Sequence, residues 1–241
     1  MKTSNKIIIG LLLVCFGVMA AAQLSLHKKY VDNDYITPQA YEDIYYNQYK
    51  PQGIKHVLVQ NIAACQIFAA NNVKLAFENG IVQYATYTVV GDTLRIMGVY
   101  NQASPGTSRL FRSSQDVRLY LPAGIPVDAV NSNVTVAGIT KQSAAGNYSF
   151  DLDNSSINTR PYLYKDSVNR YFDTLYVTAH NYSSIYFYLL DHVNTLNITL
   201  DTASMNDYNA QIAHINLLAK RKATVVLSGD NLKNLNSTVI K

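Results

Sequence analysis

The sequence has no tryptophan, only two cysteines and few charged residues. Cys15 lies inside an N-terminal apolar segment, so Cys65 alone is expected in a folded domain, and a disulfide framework is excluded. Charged residues make up 15% of the chain, and the net charge of +4 comes from scattered lysines and arginines without a long basic run. Because nucleic-acid-binding proteins carry clustered basic residues, this pattern argues against a nucleic-acid partner.

Tyrosine is abundant, with 19 copies, and 48% of the chain is hydrophobic. Prominent Val, Ile, Thr and Tyr favour strands over helices, and frequent Asn favours turns. The 241 residues are enough for one domain with a sizeable core. Cys65 has small and apolar neighbours and is expected to be a buried core residue.

The N-terminal segment has the pattern of an export signal or a membrane anchor. Lys2 and Lys6 precede residues 7–26, which carry no charge and could span the ~30 Å hydrocarbon core as a helix. Three alanines at residues 20–22 resemble a cleavage site. Residues 1–26 are therefore predicted to be a signal peptide or, if uncleaved, a single anchor through residues 7–26. Both alternatives predict an extracytoplasmic protein, in the periplasm or at the cell surface.

Residues 27–52 are polar and tyrosine-rich and show no clean period. We interpret them as a connector, with a docking segment for a partner as the alternative, since tyrosine is favoured at interfaces. The remaining residues, 53–241, are predicted to form one β domain. Its first part shows strands near residues 54–59, 73–77 and 82–90, followed by a polar loop at 101–115.

The C-terminal half repeats with a period of about twenty residues. One apolar column recurs at spacings of 21, 19 and 20, and a second recurs at spacings of 20 and 20. A third follows at 19 and 20. The members, column by column, are Leu175, Leu196, Ile215 and Leu235; Ile185, Met205 and Val225; and Val193, Ile212 and Leu232. Weaker copies place Val134 and Ile157 in the second column.

These columns predict a stack of β rungs, because one rung cannot bury its apolar face alone. The predicted fold is all-β, a right-handed parallel β-helix-like solenoid with irregular strands and hairpins at its N-terminal end. Regular rungs cover about residues 127–235, and one loop is inserted near Pro161. Asn, Ser and Thr at the corners are expected to hydrogen-bond along the stack.

The chain resembles the head-GIN, auto-transporter adhesin-like domains of Bacteroidota cell envelopes. The stretches that carry the resemblance are residues 54–61, 73–77 and 91–96, followed by the rungs that end at residues 223–229. The resemblance covers residues 53 to the end. It implies a parallel β-helix-like fold in the periplasm or on the cell surface, and it supplies no catalytic residues.

Two functional classes remain open from the sequence. The first is a non-catalytic, adhesion-like or structural module whose partner is a surface glycan or an envelope protein. The second is a carbohydrate-active lyase or hydrolase, with Asp191, His192 and His214 as catalytic candidates near two equivalent turns. The two histidines are 22 residues apart, close to one rung, so a metal site is an alternative if they adjoin.

No P-loop, nucleophile elbow or metal-ligand motif occurs, so no cofactor and no resident metal are predicted. Asp201 and Arg221 are 20 residues apart, which predicts an ion pair across neighbouring rungs.

Overall fold

A computed structural model describes residues 3–31, 44–79, 85–98, 117–137, 145–159 and 169–240. Side chains at residues 3–8, 26, 28–31 and 238–240 are not part of the description. The loop predicted at 101–115 and the loop at Pro161 lie outside the described residues. The chain divides into two compact units, Met1–Tyr45 and Tyr46–Lys241.

The first unit contains helix α1, Thr3–Val31, which includes the uncharged run of residues 7–26. Its described side chains between residues 9 and 25 are exposed. Across the described part of the chain, no helix has both the length and the hydropathy expected of a membrane span.

The second unit is built mainly from strands. The strands, in chain order, are β1 Tyr46–Tyr49, β2 His56–Gln60, β3 Cys65–Ala69, β4 Lys74–Glu78, β5 Ala85–Val90, β6 Thr93–Gly98, β7 Val117–Leu121, β8 Pro126–Val130, β9 Asn133–Ala137, β10 Tyr148–Asp153, β11 Ser156–Asn158, β12 Arg170–His180, β13 Ser184–Tyr186, β14 Asp191–Asp201, β15 Ser204–Asn206, β16 Gln211–Lys220, β17 Thr224–Val226 and β18 Leu235–Ile240. A short helix, α2 Gly229–Leu232, separates the last two strands.

These strands form two nine-stranded sheets. The first has the order β1-β4-β7-β3-β9-β11-β13-β15-β17, and the second has the order β18-β16-β14-β12-β10-β8-β2-β6-β5. From β8 onward the chain alternates between the sheets, and neighbours within a sheet pair in parallel. Antiparallel pairs join β1 to β4, β4 to β7 and β5 to β6. The all-β prediction is confirmed. The sheets are mixed and not closed, so the right-handed parallel solenoid stays a proposal.

Strand pairing aligns the apolar columns that the spacing predicts. Leu175 lies opposite Leu196, which lies opposite Ile215, and the last pairs with Leu235. The second column is likewise in register from Val134 through Ile157 and Ile185 to Met205 and Val225. The third column keeps only Val193 opposite Ile212. Its predicted last member, Leu232, is wrong as a strand position, because it belongs to α2 and is 60% exposed.

The core lies between the two sheets and consists of the aligned aliphatic side chains. Leu196, Leu200 and Ile185 are fully buried, and each such side chain contributes about 1.5–3 kcal/mol of transfer free energy. Cys65 is also fully buried, as predicted. β1 lies inside the segment interpreted as a connector, where Tyr49 packs its ring edge-on against Phe77 at 5.9 Å. Apolar burial by these rings therefore ties this part of the tyrosine-rich segment to the first sheet.

Corners that follow strands of the second sheet contain left-handed residues. Four asparagines at successive corners have φ between +47° and +56°: Asn61, Asn131, Asn154 and Asn181. Asparagine tolerates this conformation better than other non-glycine residues do. Asn154 also donates from Nδ2 to Asn131 Oδ1 at 2.8 Å, so the corner amides bond along the stack as predicted.

A column of buried serines follows these asparagines. Ser155 Oγ accepts a hydrogen bond from the backbone N–H of Ser132 at 2.9 Å, and Ser183 Oγ accepts one from Ser155 N–H at 3.1 Å. The column ends at Ala203, which is buried without a hydroxyl. These bonds satisfy backbone groups that the corners would otherwise leave buried without partners.

Candidate functional site

A cleft of about 980 Å³ opens where β12, β14 and β16 begin. The strand starts form one wall, and the turns before β14 and β16, together with α2, form the other. Parallel pairing brings equivalent positions of three successive strands side by side at this point. The cleft is therefore a consequence of the register of these strands.

Two stacked rings lie in the first row of the cleft. Tyr171 and His192 are opposite each other in the β12–β14 register, and their ring centroids are 4.8 Å apart at an interplanar angle of 21°. His192 Nε2 lies 3.2 Å from Asn169 Oδ1, which holds the imidazole in place. Gln211 continues the row on β16 and is exposed. Because the two rings stack on each other, each covers one face of the other, and the row presents the ring edges and the outer ring faces beside amides.

A second polar row lies two residues further along the strands. Asn194 donates from Nδ2 to Asp173 Oδ1 at 3.1 Å, and Asn194 is exposed. The opposite rim carries Asn209 and Asp230. Asp230 is 97% exposed and pairs with Lys233 at 3.3 Å. Within the described lining there is no lysine or arginine, so acidic and amide groups dominate the cleft.

A buried carboxylate fixes the α2 wall. Asp207 Oδ2 accepts hydrogen bonds from the Ser228 backbone N–H at 2.7 Å, the Ser228 hydroxyl at 3.0 Å and Asn231 Nδ2 at 2.7 Å. Asn231 also donates to the Ala210 carbonyl at 2.6 Å and accepts from Ile212 N–H at 3.1 Å. These bonds cross from one rung to the next, so the wall is held rigidly. Asp207 was one of several acidic turn residues in the sequence, and nothing in the sequence distinguished its structural role.

Asp191 faces the core and not the cleft. Arg170 Nε donates to its Oδ1 at 2.6 Å, while its Oδ2 accepts from the Tyr188 backbone N–H at 2.6 Å and from the Thr159 hydroxyl. Its side chain is fully buried. Burial raises the pKa of the Asp191 carboxyl, and the Arg170 guanidinium beside it opposes that rise. The predicted candidate is thus part of a buried ion pair that a substrate cannot reach.

His192 and His214 do not adjoin, so the suggested histidine pair is wrong. The register places His192 opposite Gln211 and His214 opposite Thr195. His214 is therefore three positions further along the strands, a distance of about 10 Å at ~3.3 Å per residue. No group of three or more His, Cys, Asp or Glu side chains in the described ranges is arranged to hold a metal ion.

Other aspartates of the second sheet take part in local contacts. The predicted cross-rung pair is confirmed, with Arg221 Nε 3.3 Å from Asp201 Oδ1. His180 lies 3.5 Å from Asp151 on the outer face of the second sheet. Burial is the main cause that raises the pKa of Asp151, and His180 lowers it. These contacts stabilise strand pairs locally, and none of these residues is among those that line the cleft.

No family model and no curated protein matches the sequence. Among solved structures, the chain is similar to a candidate adhesin from Parabacteroides distasonis at 9% identity and a TM-score of 0.40, covering 75% of this chain and 79% of that one. A candidate lipid-binding protein from the same species has 10% identity and a TM-score of 0.37, with 75% and 80% covered. A candidate adhesin from Bacteroides fragilis has 9% identity and a TM-score of 0.37, with 75% and 90% covered.

Proposed function

We propose that this protein is a non-catalytic, adhesion-like binding module that holds a neutral glycan in the cleft. The observation that carries the proposal is the stacked pair of Tyr171 and His192, edged by amide side chains in a preformed cleft. Binding sites for small ligands combine an apolar surface with a few placed polar groups, and this cleft has both.

The chemistry of the lining favours a sugar over other ligands. Flat ring faces pack against the C–H face of a pyranose, since the face of an aromatic ring carries negative charge. The amides of Asn194, Asn209 and Gln211 offer both donors and acceptors to hydroxyl groups. An anionic polymer is disfavoured, because the described lining carries Asp173 and Asp230 without a lysine or arginine. A protein partner is disfavoured because protein interfaces have a large apolar centre. The exposed large apolar side chain in the described lining of the cleft is Leu189.

The lack of catalysis in this proposal rests on the positions of the carboxylates. Most glycoside hydrolases use two carboxyl groups that flank one bond. Asp191 is sequestered by Arg170, and Asp230 is a solvated surface group paired with Lys233. Asp173 alone remains beside the stacked rings, where it accepts from Asn194.

The proposal includes export and the right-handed solenoid architecture. Export is supported by the basic flank of residues 7–26 and by the alanines at residues 20–22. The solenoid is supported by the in-register columns and by the alternation of strands between two sheets. Such a stack presents side chains at fixed intervals, which suits a module that binds an extended surface polymer.

Binding of the full chain to immobilised neutral oligosaccharides tests the function, with gluco-, manno- and chito-oligosaccharides as probes. We expect Tyr171→Ala to lose most of the affinity and Tyr120→Ala to retain it. Tyr120 is a matched control, because it is also partly buried and ring-stacked but lies on β7 in the first sheet. No binding to any probe would refute the glycan proposal, and release of new reducing ends would refute the non-catalytic one.

A further inference from the structure

An uncharged surface lies on the outer face of β12, β14, β16 and β18. Tyr176, Asn197, Asn216 and Asn236 are opposite one another in consecutive strands of the second sheet. Asn216 donates from Nδ2 to Asn197 Oδ1 at 2.9 Å, and Asn236 donates to Asn216 Oδ1 at 3.5 Å. We call these three asparagines the asparagine ladder. The internal amide, Asn216, uses one donor and one acceptor along the ladder and keeps another donor for a ligand.

The ladder borders a shallow groove of about 370 Å³. Thr178 and Thr199 form the parallel row beside it, and Tyr176 stands at its head with 51% of its surface exposed. The groove as described contains no charged side chain. The next strands of the same sheet face differ, since Asp128 and Asp151 lie opposite each other there. The groove therefore shares with the cleft an aromatic ring beside a row of amides, and it lacks the two aspartates of the cleft.

The cleft and the groove belong to one continuous strip of surface. Tyr171 and Tyr176 are five residues apart on β12, and an unbroken strand would turn them to opposite faces. Asp173 and Thr174 both face outward, so the alternation shifts by one residue between them and returns Tyr176 to the surface. At ~3.3 Å per residue, the Cα atoms of the two residues are at most about 17 Å apart.

His214 is exposed at the position of this shift. It lies opposite Thr195, between the rows of the cleft and the ladder. The strip therefore runs from the stacked rings, past the Asp173–Asn194 pair and His214, to the amides of β14 and β16. His214, a candidate from the sequence, thus lies between the cleft and the asparagine ladder.

We propose that the asparagine ladder is a second glycan subsite, so that the ligand is a linear neutral polysaccharide lying along β12, β14 and β16. This inference rests on the proposed function of the cleft. It adds that the ligand is long enough to reach both surfaces and that it runs along the strands. The ladder amides hydrogen-bond sugar hydroxyls, while the ring of Tyr176 stacks on one sugar unit. A short sugar occupies the cleft alone, and a long one occupies both surfaces.

Calorimetric titration of the full chain tests this inference with gluco-, manno- and chito-oligosaccharides, each as the disaccharide and the hexasaccharide. For the series that binds, we expect Asn216→Ala and Tyr176→Ala each to weaken hexasaccharide binding about tenfold, the equivalent of one lost hydrogen bond or ring contact. Disaccharide binding should remain unchanged. Asn133→Ala is the matched control, because Asn133 is an exposed strand asparagine that bonds a neighbouring strand in the other sheet.

The outcomes separate the two proposals. If hexasaccharide affinity is unchanged in both ladder variants while the wild-type chain binds disaccharide, the ladder is not a subsite and the cleft proposal stands. If the wild-type chain binds neither length, both proposals fail. Tyr176→Ala guards against a folding defect in the asparagine variant, since its ring is half exposed and its removal leaves the amide bonds in place.

Discussion

Asp191 and His192 are adjacent in the chain but belong to different parts of the molecule. The strand turns Asp191 into the core beside Arg170 and turns His192 outward onto Tyr171. A sequence window cannot reveal this difference, because both residues follow the same turn. Burial of the carboxylate depends on Thr159 and Arg170, which lie 32 and 21 residues earlier in the chain.

The buried ion pair leads to a stability prediction. Arg170→Met leaves the Asp191 carboxylate buried without its counter-ion, and we expect a loss of about 3–5 kcal/mol in the free energy of unfolding at neutral pH. Arg170→Met with Asp191→Leu should recover most of this loss, because no charge remains in the core. Urea denaturation measures both.

The exposed pair of Arg221 and Asp201 provides the control. Arg221→Met should cost about 0–1 kcal/mol, since Arg221 is 75% exposed and solvent screens the pair. Equal losses in Arg170→Met and Arg221→Met would contradict the structural role assigned to Asp191.

Tyr148 leads to a prediction at alkaline pH. Its hydroxyl is buried and has no hydrogen-bond partner within the described structure, and burial raises its pKa from 10.0 to about 12. As the pH rises, this tyrosine ionises at a lower pH in the unfolded chain than in the folded chain. The folded protein therefore keeps its full stability with respect to this group below pH 10 and loses stability as the pH rises toward 12.

Tyr148→Phe should therefore be at least as stable as the wild-type chain at pH 7, and its advantage should grow between pH 10 and 12. Thermal unfolding across this range measures the difference. Tyr176→Phe is the control, because Tyr176 is half exposed. A variant that is markedly less stable at pH 7 would mean that the Tyr148 hydroxyl has a partner.

At the scale of elements, the corners decide where one strand ends and the next sheet begins. Asn154 combines a φ of +47° with a side-chain bond to Asn131. Asn154→Ala loses the bond and strains the backbone, and we expect a cost of about 1–2 kcal/mol. Asn154→Gly loses only the bond, so it should cost less. Chemical denaturation orders the two variants, and a glycine variant less stable than the alanine variant would contradict the assigned corner geometry.

The elements also show what the sequence can predict. Apolar spacing near twenty residues predicts the register of β12, β14, β16 and β18, because stacking places like residues opposite each other. The same spacing misplaces Leu232, because a polar turn centred on Asp207 and Asn231 folds that segment into α2. The cleft and the asparagine ladder depend on which faces the strands turn outward after the shift near Asp173. That shift carries no local sequence signal.

At the scale of the whole molecule, the buried core residues within the described ranges all lie in Tyr46–Lys241. Removal of residues 1–22 is therefore expected to leave the core complete. In a bacterial host, we expect protein recovered outside the cytoplasm to begin at Gln23 by intact mass.

Ala20→Leu with Ala22→Leu should block this cleavage, because signal peptidases require small residues near the cut. Fractionation should then find the uncleaved chain in the membrane. A wild-type chain that stays full length in the cytoplasm would contradict the proposed export.

The most direct test of glycan binding in the cleft uses the rings of the five histidines as reporters in nuclear magnetic resonance. The full chain is titrated with the neutral hexasaccharide that it binds most tightly. We expect the His192 ring signals to shift in a saturable way, since His192 stacks on Tyr171, whereas His56, paired with Asp128 on another part of the second sheet, keeps its position. Saturating hexasaccharide that leaves the His192 signals unchanged would contradict binding in the cleft.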